Sequence, residues 1–320
     1  MRFFRTFLYP LDISPKLLWE STSYFGYNPR LCFKAARSVK VLRSTKQGVT
    51  SRIRGFAAKE DSIWQLPHLS QGDDSDVPHS IVEIYPTTES RFLSQCDSGA
   101  VSRWALDLFL KACETQRADV VAAFYHYISV MSDAASLRGH VFERQVLNHL
   151  DGIKAEHNLS IRELSSSEQM TWPYRGPIPR FNFLQDSDFI EEITKAVQNK
   201  KPLHLVPSAL NFPAVDSILY HPNEVLTCIQ TTIRREHPII ISGLQRIQSW
   251  LEPHTPLAGL HPSKERPWRF IFIVPSDEAS FELQRLRGDN AQGEWAGKVH
   301  QYVLGLDVVG EKPKAGFRLW

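Results

Sequence analysis

Asp216 and Gln230 each interrupt an apolar run. The stretch "NFPAVDSILYHPNEVLTCIQTTI", Asn211 to Ile233, reads as two apolar strands around the turn "HPNE", with one polar residue in each strand. A carboxylate and an amide oxygen on neighbouring strands could hold a hard cation. Mg²⁺ takes oxygen ligands, often one or two carboxylates with waters completing an octahedron. A bound Mg²⁺ lowers the pKa of its water and stabilises charge on phosphate oxygens, as phosphodiester hydrolysis at neutral pH requires. A third ligand from a nearby helix would complete the set, and Glu143 in "GHVFERQVL" is the helical candidate. Each residue also has an ordinary reading. An Asp at a strand start usually makes a turn or a cap, a Gln near a strand end usually meets water, and a Glu on an amphipathic helix is usually solvated.

The elements must bring these residues together. With Pro222 and Asn223 at the hairpin tip, paired residues have numbers that sum to about 445, which sets Asp216 opposite Ile229 and beside Gln230. Within "SLRGHVFERQVLNHL", Phe142, Val146 and Leu150 fall at i, i+4 and i+8, so one apolar face of a helix carries Glu143 at its border. The segments "LSIRELSS", "TWPYRG", "IPRFNFL" and "PLHLVPS" read as strands, and "DSDFIEEITKAVQNK" reads as a helix with an acidic start and a basic end. "PIIISGLQRIQSWL" reads as a helix. "WRFIFIVP" is a buried strand by its unbroken aromatic and β-branched run, and "WAGKVHQYVLGLDV" suggests a further helix or strand. Upstream, "IVEIYP" reads as a short strand, followed by two helices in "AVSRWALDLFLKACET" and "ADVVAAFYHYISVMSDA".

These readings give an α/β fold, a mixed central sheet of roughly four or five strands flanked by helices, with an N-terminal helical appendage. The expected organisation is a helical piece over 1–45, a flexible linker over 46–79 and the α/β domain over 80–320. Within that linker, "LSQGDDSDVPHS" is acidic and rich in turn residues. From Arg30 to Lys59 the chain is basic without an acid, with Lys34, Arg37, Lys40, Arg43 and Lys46 at every third position. That spacing drifts around a helix, and a solvated helix and linker is its plain reading; a phosphate-binding patch or import signal is the sharper one.

The 320 residues include 42% hydrophobic and 22% charged residues, as in soluble globular chains. Lys+Arg is 37 and Asp+Glu is 35, so any basic surface must be local. Cys32, Cys96, Cys113 and Cys228 form no Cys-x-x-Cys pair, which argues for reduced, mostly buried thiols. The start, "MRFFRTFLYPLDISP", has an apolar run broken by Pro10, so no signal peptide is expected, and no run approaches a membrane span.

Together "GHVFE", "FPAVDSIL", "LTCIQTTI" and "EHPIIISGLQRI" resemble the C-terminal domain of the Crinkler and retrotransposon-hot-spot (RHS) family of fungal and other eukaryotic proteins. The resemblance covers about 80–310. It implies a restriction-endonuclease-like fold of the PD-(D/E)xK superfamily: a helix bearing Glu, a strand beginning near Asp, and a strand bearing (D/E)-x-K. It further implies Glu143, Asp216, Gln230 and Thr232 as the catalytic set, with Glu143, Asp216 and Gln230 around Mg²⁺ and DNA as the substrate. Thr232 stands where the superfamily usually has Lys, and Thr carries no charge for orienting the attacking water. Lys200, Lys201, Arg234, Arg235 and His237 are the nearby residues that could supply a cation.

"LLWESTSYFGYNPRLCFKAA" resembles the last helical segment of the P-loop ATPase that precedes this domain in full-length relatives, with Arg30 at a phosphate-facing position. The chain lacks a Gly-x-x-x-x-Gly-Lys-Ser/Thr loop, the nearest string being "GEWAGKV", so no ATPase activity and no small-molecule cofactor are expected. Three readings follow: a Mg²⁺-dependent endodeoxyribonuclease, a non-cleaving effector or DNA- or protein-binding module of the same fold, and a degenerate transposon-associated gene fragment. Each fits a nuclear or cytoplasmic location, or a host-directed effector with no recognisable signal peptide, and none calls for a membrane.

Overall fold

The structure is a computed structural model. It describes residues 13–26, 28–59, 61–65, 81–86, 96–116, 118–129, 135–208, 212–251, 255–276, 280–288 and 291–308. The chain divides into two compact units, and the boundary falls between Val141 and Phe142.

The first unit is mainly helical. Helices α1 (Pro15–Phe25), α2 (Pro29–Ala35) and α3 (Val39–Ala57) begin at side-chain caps from Ser14, Asn28 and Ser38. Each cap takes an N–H that the first turn cannot bond internally. A short α4 (Ser62–Gln65), the antiparallel pair β1 (Val82–Pro86) and β2 (Cys96–Ala100), and helices α5 (Arg103–Gln116) and α6 (Ala118–Ser129) follow. Leu42, Val49, Ile53 and Phe56 of α3 join Phe109, Leu110 and Phe124 in one core. The helical segment therefore does not end near 45: α3 continues to Ala57 because its apolar residues recur on one face and are buried. The polar, acidic stretch 69–80 lies outside the described residues, as does the chain start through Leu11 and Asp12.

Helix α7 (Ala135–Gly152) leads into the second unit, Phe142–Val308. Its elements are β3 (Glu156–Glu163), β4 (Gln169–Arg175), β5 (Arg180–Phe183), α8 (Asp186–Gln198), β6 (Leu203–Pro207), β7 (Ser217–Tyr220) and β8 (Thr227–Thr231). After them come β9 (Ile239–Ile240), α9 (Ile241–Leu251), β10 (Trp268–Pro275), β11 (Leu286–Arg287), α10 (Ala291–Trp295) and β12 (Val299–Leu306). Eight strands form one mixed sheet in the order β4-β3-β12-β10-β8-β7-β6-β5, not the four or five expected. The pairs β5–β6, β8–β10 and β10–β12 are parallel and the others antiparallel.

Both faces of the central strands β6, β7, β8 and β10 are covered, and these strands are buried almost throughout, whereas β3, β4 and β5 alternate or are largely exposed. Phe142, Val146 and Leu150 of α7 pack with Leu219, Ile229, Ile271 and Leu304 on one face. Phe189 and Ile193 of α8 and Leu244, Ile247 and Trp250 of α9 pack with Ile218, Cys228, Phe270 and Phe272 on the other. The sheet is curled. Its two edge strands, β4 and β5, are consecutive in the chain, and Arg175 at the end of β4 pairs with Glu224 in the β7–β8 turn at 3.3 Å. Among the described residues, no helix is long and apolar enough to cross a membrane.

Candidate functional site

The hairpin register places Ser217 opposite Ile229 and Ile218 opposite Cys228. Paired numbers therefore sum to 446, one more than expected. That single step carries Asp216 from Ile229 to a place opposite Gln230, on the same side of the ladder.

Asp216 stands one residue before β7, and its carboxylate finishes the ladder. The backbone N–H of Asp216 donates to the Ile229 carbonyl at 2.9 Å. One rung further, the Thr231 N–H of β8 has no β7 residue to meet and donates instead to Asp216 Oδ2 at 2.7 Å. The same oxygen accepts from Thr231 Oγ1 at 2.6 Å and from Gln230 Nε2 at 2.8 Å. These are short, charge-assisted bonds, stronger than bonds between neutral groups. Gln230 is 7% exposed, and its amide nitrogen also donates to the Thr231 carbonyl at 3.3 Å. Two acceptors face that nitrogen, so the chemistry of the neighbours fixes which end of the amide turns inward.

The loop before Asp216 is positioned by α9. A Cβ on Gly243 would fall on the Pro213 carbonyl, so the loop approaches the helix as closely as only glycine permits. Ala214 meets this approach with φ of 73°, a left-handed conformation that turns the chain into β7. Thr231 and Gly243 are the residues that sequence reasoning missed. Thr231 lies between Gln230 and Thr232 in the motif, and Gly243 lies within the expected helix, but neither carries a group that advertises its role.

Thr232 is 6% exposed and has its own structural work. Its N–H donates to the Ile273 carbonyl at 3.0 Å, continuing the β8–β10 ladder. Its hydroxyl accepts the Arg234 N–H at 3.0 Å, making a turn at the strand end. Glu143 is 6% exposed on α7, between Phe142 and Val146, whose side chains pack on the Leu219–Ile229 face.

In this arrangement Asp216 Oδ2 and the inward-turned Gln230 amide nitrogen are engaged with each other and are not offered to a cation. Asp216 Oδ2 already accepts three hydrogen bonds, and Gln230 turns an N–H, not a lone pair, towards it. A cation needs oxygen lone pairs directed at one point. Among the described residues, no group of three or more His, Cys, Asp and Glu side chains is arranged to hold a metal.

The expected substitutes for the missing Lys are sorted by the topology. Lys200 and Lys201 precede β6 at the end where Leu203 pairs with Tyr220. That is the far end of β7 from Asp216, about 13 Å along a four-residue strand, so neither serves this site. His237 is held below its usual pKa range, first by burial and second by the Arg234 guanidinium, and is no cation at neutral pH. Arg234 is exposed just beyond β8. Arg285 and Arg287 are also exposed, on a segment that pairs with residues 239–240 downstream of Arg234. The Ile239 N–H donates to the Arg285 carbonyl at 3.0 Å, and β9 pairs with β11. Buried Gln284 clamps the two segments: its Oε1 accepts from the His237 N–H at 2.6 Å and its Nε2 donates to the Arg235 carbonyl at 3.0 Å. Gln301 of β12 exchanges two further hydrogen bonds with the Gln284 backbone.

Comparison of the chain with family models, with curated proteins and with solved structures finds no match.

Proposed function

We propose that residues Phe142–Val308 are a restriction-endonuclease-like domain that holds duplex DNA without cutting it. The order of elements supports the class: a helix bearing Glu143, a strand entered at Asp216, a strand bearing Gln230 with Thr232 just past its end, then a helix and a strand parallel to β8. The observation that carries the loss of chemistry is the threefold use of Asp216 Oδ2 by Gln230 and Thr231. A carboxylate that completes a strand ladder is a cap, and Thr232 in place of Lys leaves no charge to orient a water. Arg234 just past β8, and Arg285 and Arg287 on the segment paired with residues 239–240, are exposed arginines, and planar guanidinium groups bind phosphate oxygens in a bidentate fashion.

The test compares wild-type protein with Asp216→Ala on supercoiled plasmid in Mg²⁺ and in Mn²⁺, with urea unfolding measured in parallel. Expected is no nicking by either protein. The variant should lose about 2–4 kcal/mol of stability, because the Thr231 N–H is left unsatisfied and charge-assisted bonds are removed. Metal-dependent nicking by wild type that Asp216→Ala abolishes would overturn the proposal and establish the cutting reading.

A further inference from the structure

The strongest unassigned feature lies in the first unit. Between Arg30 and Lys59 the sequence holds nine basic residues and no acidic one. Lys34, Arg37, Lys40, Arg43, Arg52 and Arg54 are all exposed, and none has a carboxylate partner among the described residues. Lys46 differs, being seated over the Tyr24 ring at 3.6 Å. A chain with a net charge of +2 thus concentrates its excess on one helical surface.

The placement opposes the helix's own electrostatics. The N-terminus of a helix carries partial positive charge and favours acids. The first turn of α3 has none, and Arg37, Lys40 and Arg43 crowd that end instead. Nothing described within the fold relieves this repulsion, whereas an external polyanion would. At 100° per residue, Lys40, Arg43 and Arg54 fall on one side of the exposed face and Arg52 on the other. Between them lie Ser44, Gly48, Ser51 and Gly55, and a Cβ on Gly48 or Gly55 would meet nothing within 4 Å. Low side chains between basic walls let a broad anionic ridge approach the helix. The span from Lys40 to Arg54 is about 21 Å at 1.5 Å per residue, or about six base pairs at 3.4 Å per phosphate on each strand.

We infer that the exposed face of α3 is a docking surface for the phosphate backbone of duplex nucleic acid. Other polyanions fit less well. The apolar face of α3 is spent in the core through Leu42, Val49, Ile53 and Phe56, so no apolar stripe is left to enter a lipid surface. The exposed α3 face carries no aromatic side chain, whereas single-strand binders stack bases on aromatics. The contact is to backbone and carries no sequence preference of its own.

The test uses the full chain and a fluorescent 30-base-pair duplex, with anisotropy titrations at several salt concentrations. The triple variant Lys40→Gln, Arg43→Gln, Arg54→Gln should bind at least ten-fold more weakly at low salt. Its slope of log affinity against log salt should fall by about 2.7, from 0.9 per lost phosphate contact. All three residues are exposed, so the variant should melt with wild type, and Lys111→Gln on α5 should bind as wild type does. Unchanged affinity and slope in the triple variant would overturn the inference. So would equal affinity for single strands, or retention on phosphatidylserine vesicles in preference to duplex. Plasmid nicking would not bear on it, so this face and the Asp216 site fail independently.

Discussion

His204 is the residue whose chemistry is most at odds with its surroundings. It lies on β6 opposite Leu219, wholly buried, and neither ring nitrogen has a hydrogen-bond partner among the described residues. Burial, with a smaller contribution from the Arg180 guanidinium, holds its pKa down to about 3. Above pH 6.5 the ring is neutral in both folded and unfolded chains, and it gives no pH dependence. As pH falls from 6.5 towards 3, only the unfolded chain takes up the proton, so stability is lost at about 1.4 kcal/mol per pH unit. Urea unfolding at pH 7, 6 and 5 should show wild type losing about 2 kcal/mol more than His204→Leu across that range. Equal slopes for the two proteins would show that the ring protonates in the folded state. Asp216 makes the opposite case at the same scale: one carboxylate oxygen at a strand end accepts from three donors.

At the scale of elements, the loop from Phe212 to Asp216 depends on α9. Gly243→Ala should cost about 1–3 kcal/mol, because the added methyl group overlaps the Pro213 carbonyl and forces the loop away from the helix. Ser249→Ala on the same helix, where the exposed hydroxyl bonds only the Arg246 carbonyl, should change little. Equal melting of the two variants would refute the close approach.

The elements also show what the sequence could and could not reveal. The Phe142, Val146 and Leu150 face, the α8 and α9 helices and the β10 strand were legible, because burial writes a period into the apolar residues. β2, "CDSGA", was not, since nothing in its composition favours a strand and its pairing with β1 defines it. α3 was cut short because Gly48, Thr50, Ser51 and Gly55 are poor helix formers, although Leu42, Val49, Ile53 and Phe56 keep helical spacing. Residues 239 and 240, expected to begin a helix, form β9 through pairing with β11. Hairpin counting set Asp216 opposite Ile229 and beside Gln230, one residue from the observed register, so it brought the two residues within reach without facing them. The direction of the Gln230 amide did not follow from it, because it depends on the Thr231 carbonyl and on where β7 stops.

For the whole molecule, the thiols offer a separate reporter for each unit. Cys32 and Cys113 are buried in the helical unit, and burial pushes both thiols up to about 11. Cys228 is fully buried in the sheet of the second unit, and its thiol is raised further still. The side chain of Cys96 lies outside the described residues. In a Cys96→Ser background at pH 8, a thiol reagent should label the folded chain slowly, since little thiolate is present and access requires opening. Under increasing urea, Cys32 and Cys113 should become reactive together, and Cys228 should report its own transition. Labelling of Cys228 at the rate of a free thiol in the folded protein would contradict its burial.

The strand order has a further consequence, for synthesis. β12, the last strand of the sheet, lies between β3 and β10 and pairs Val303 with Arg162. Without it, β3 and β4 form one ribbon, and β10, β8, β7, β6 and β5 form another. A nascent chain that has not yet released Val299–Leu306 from the ribosome thus holds two half-sheets, each with a bare edge where β12 belongs. Unpaired edges invite wrong partners. The closing strand is the last of the sheet's strands to be translated and sits near the middle of the sheet in space, so the sheet of this unit can become whole only after all its other strands have been made.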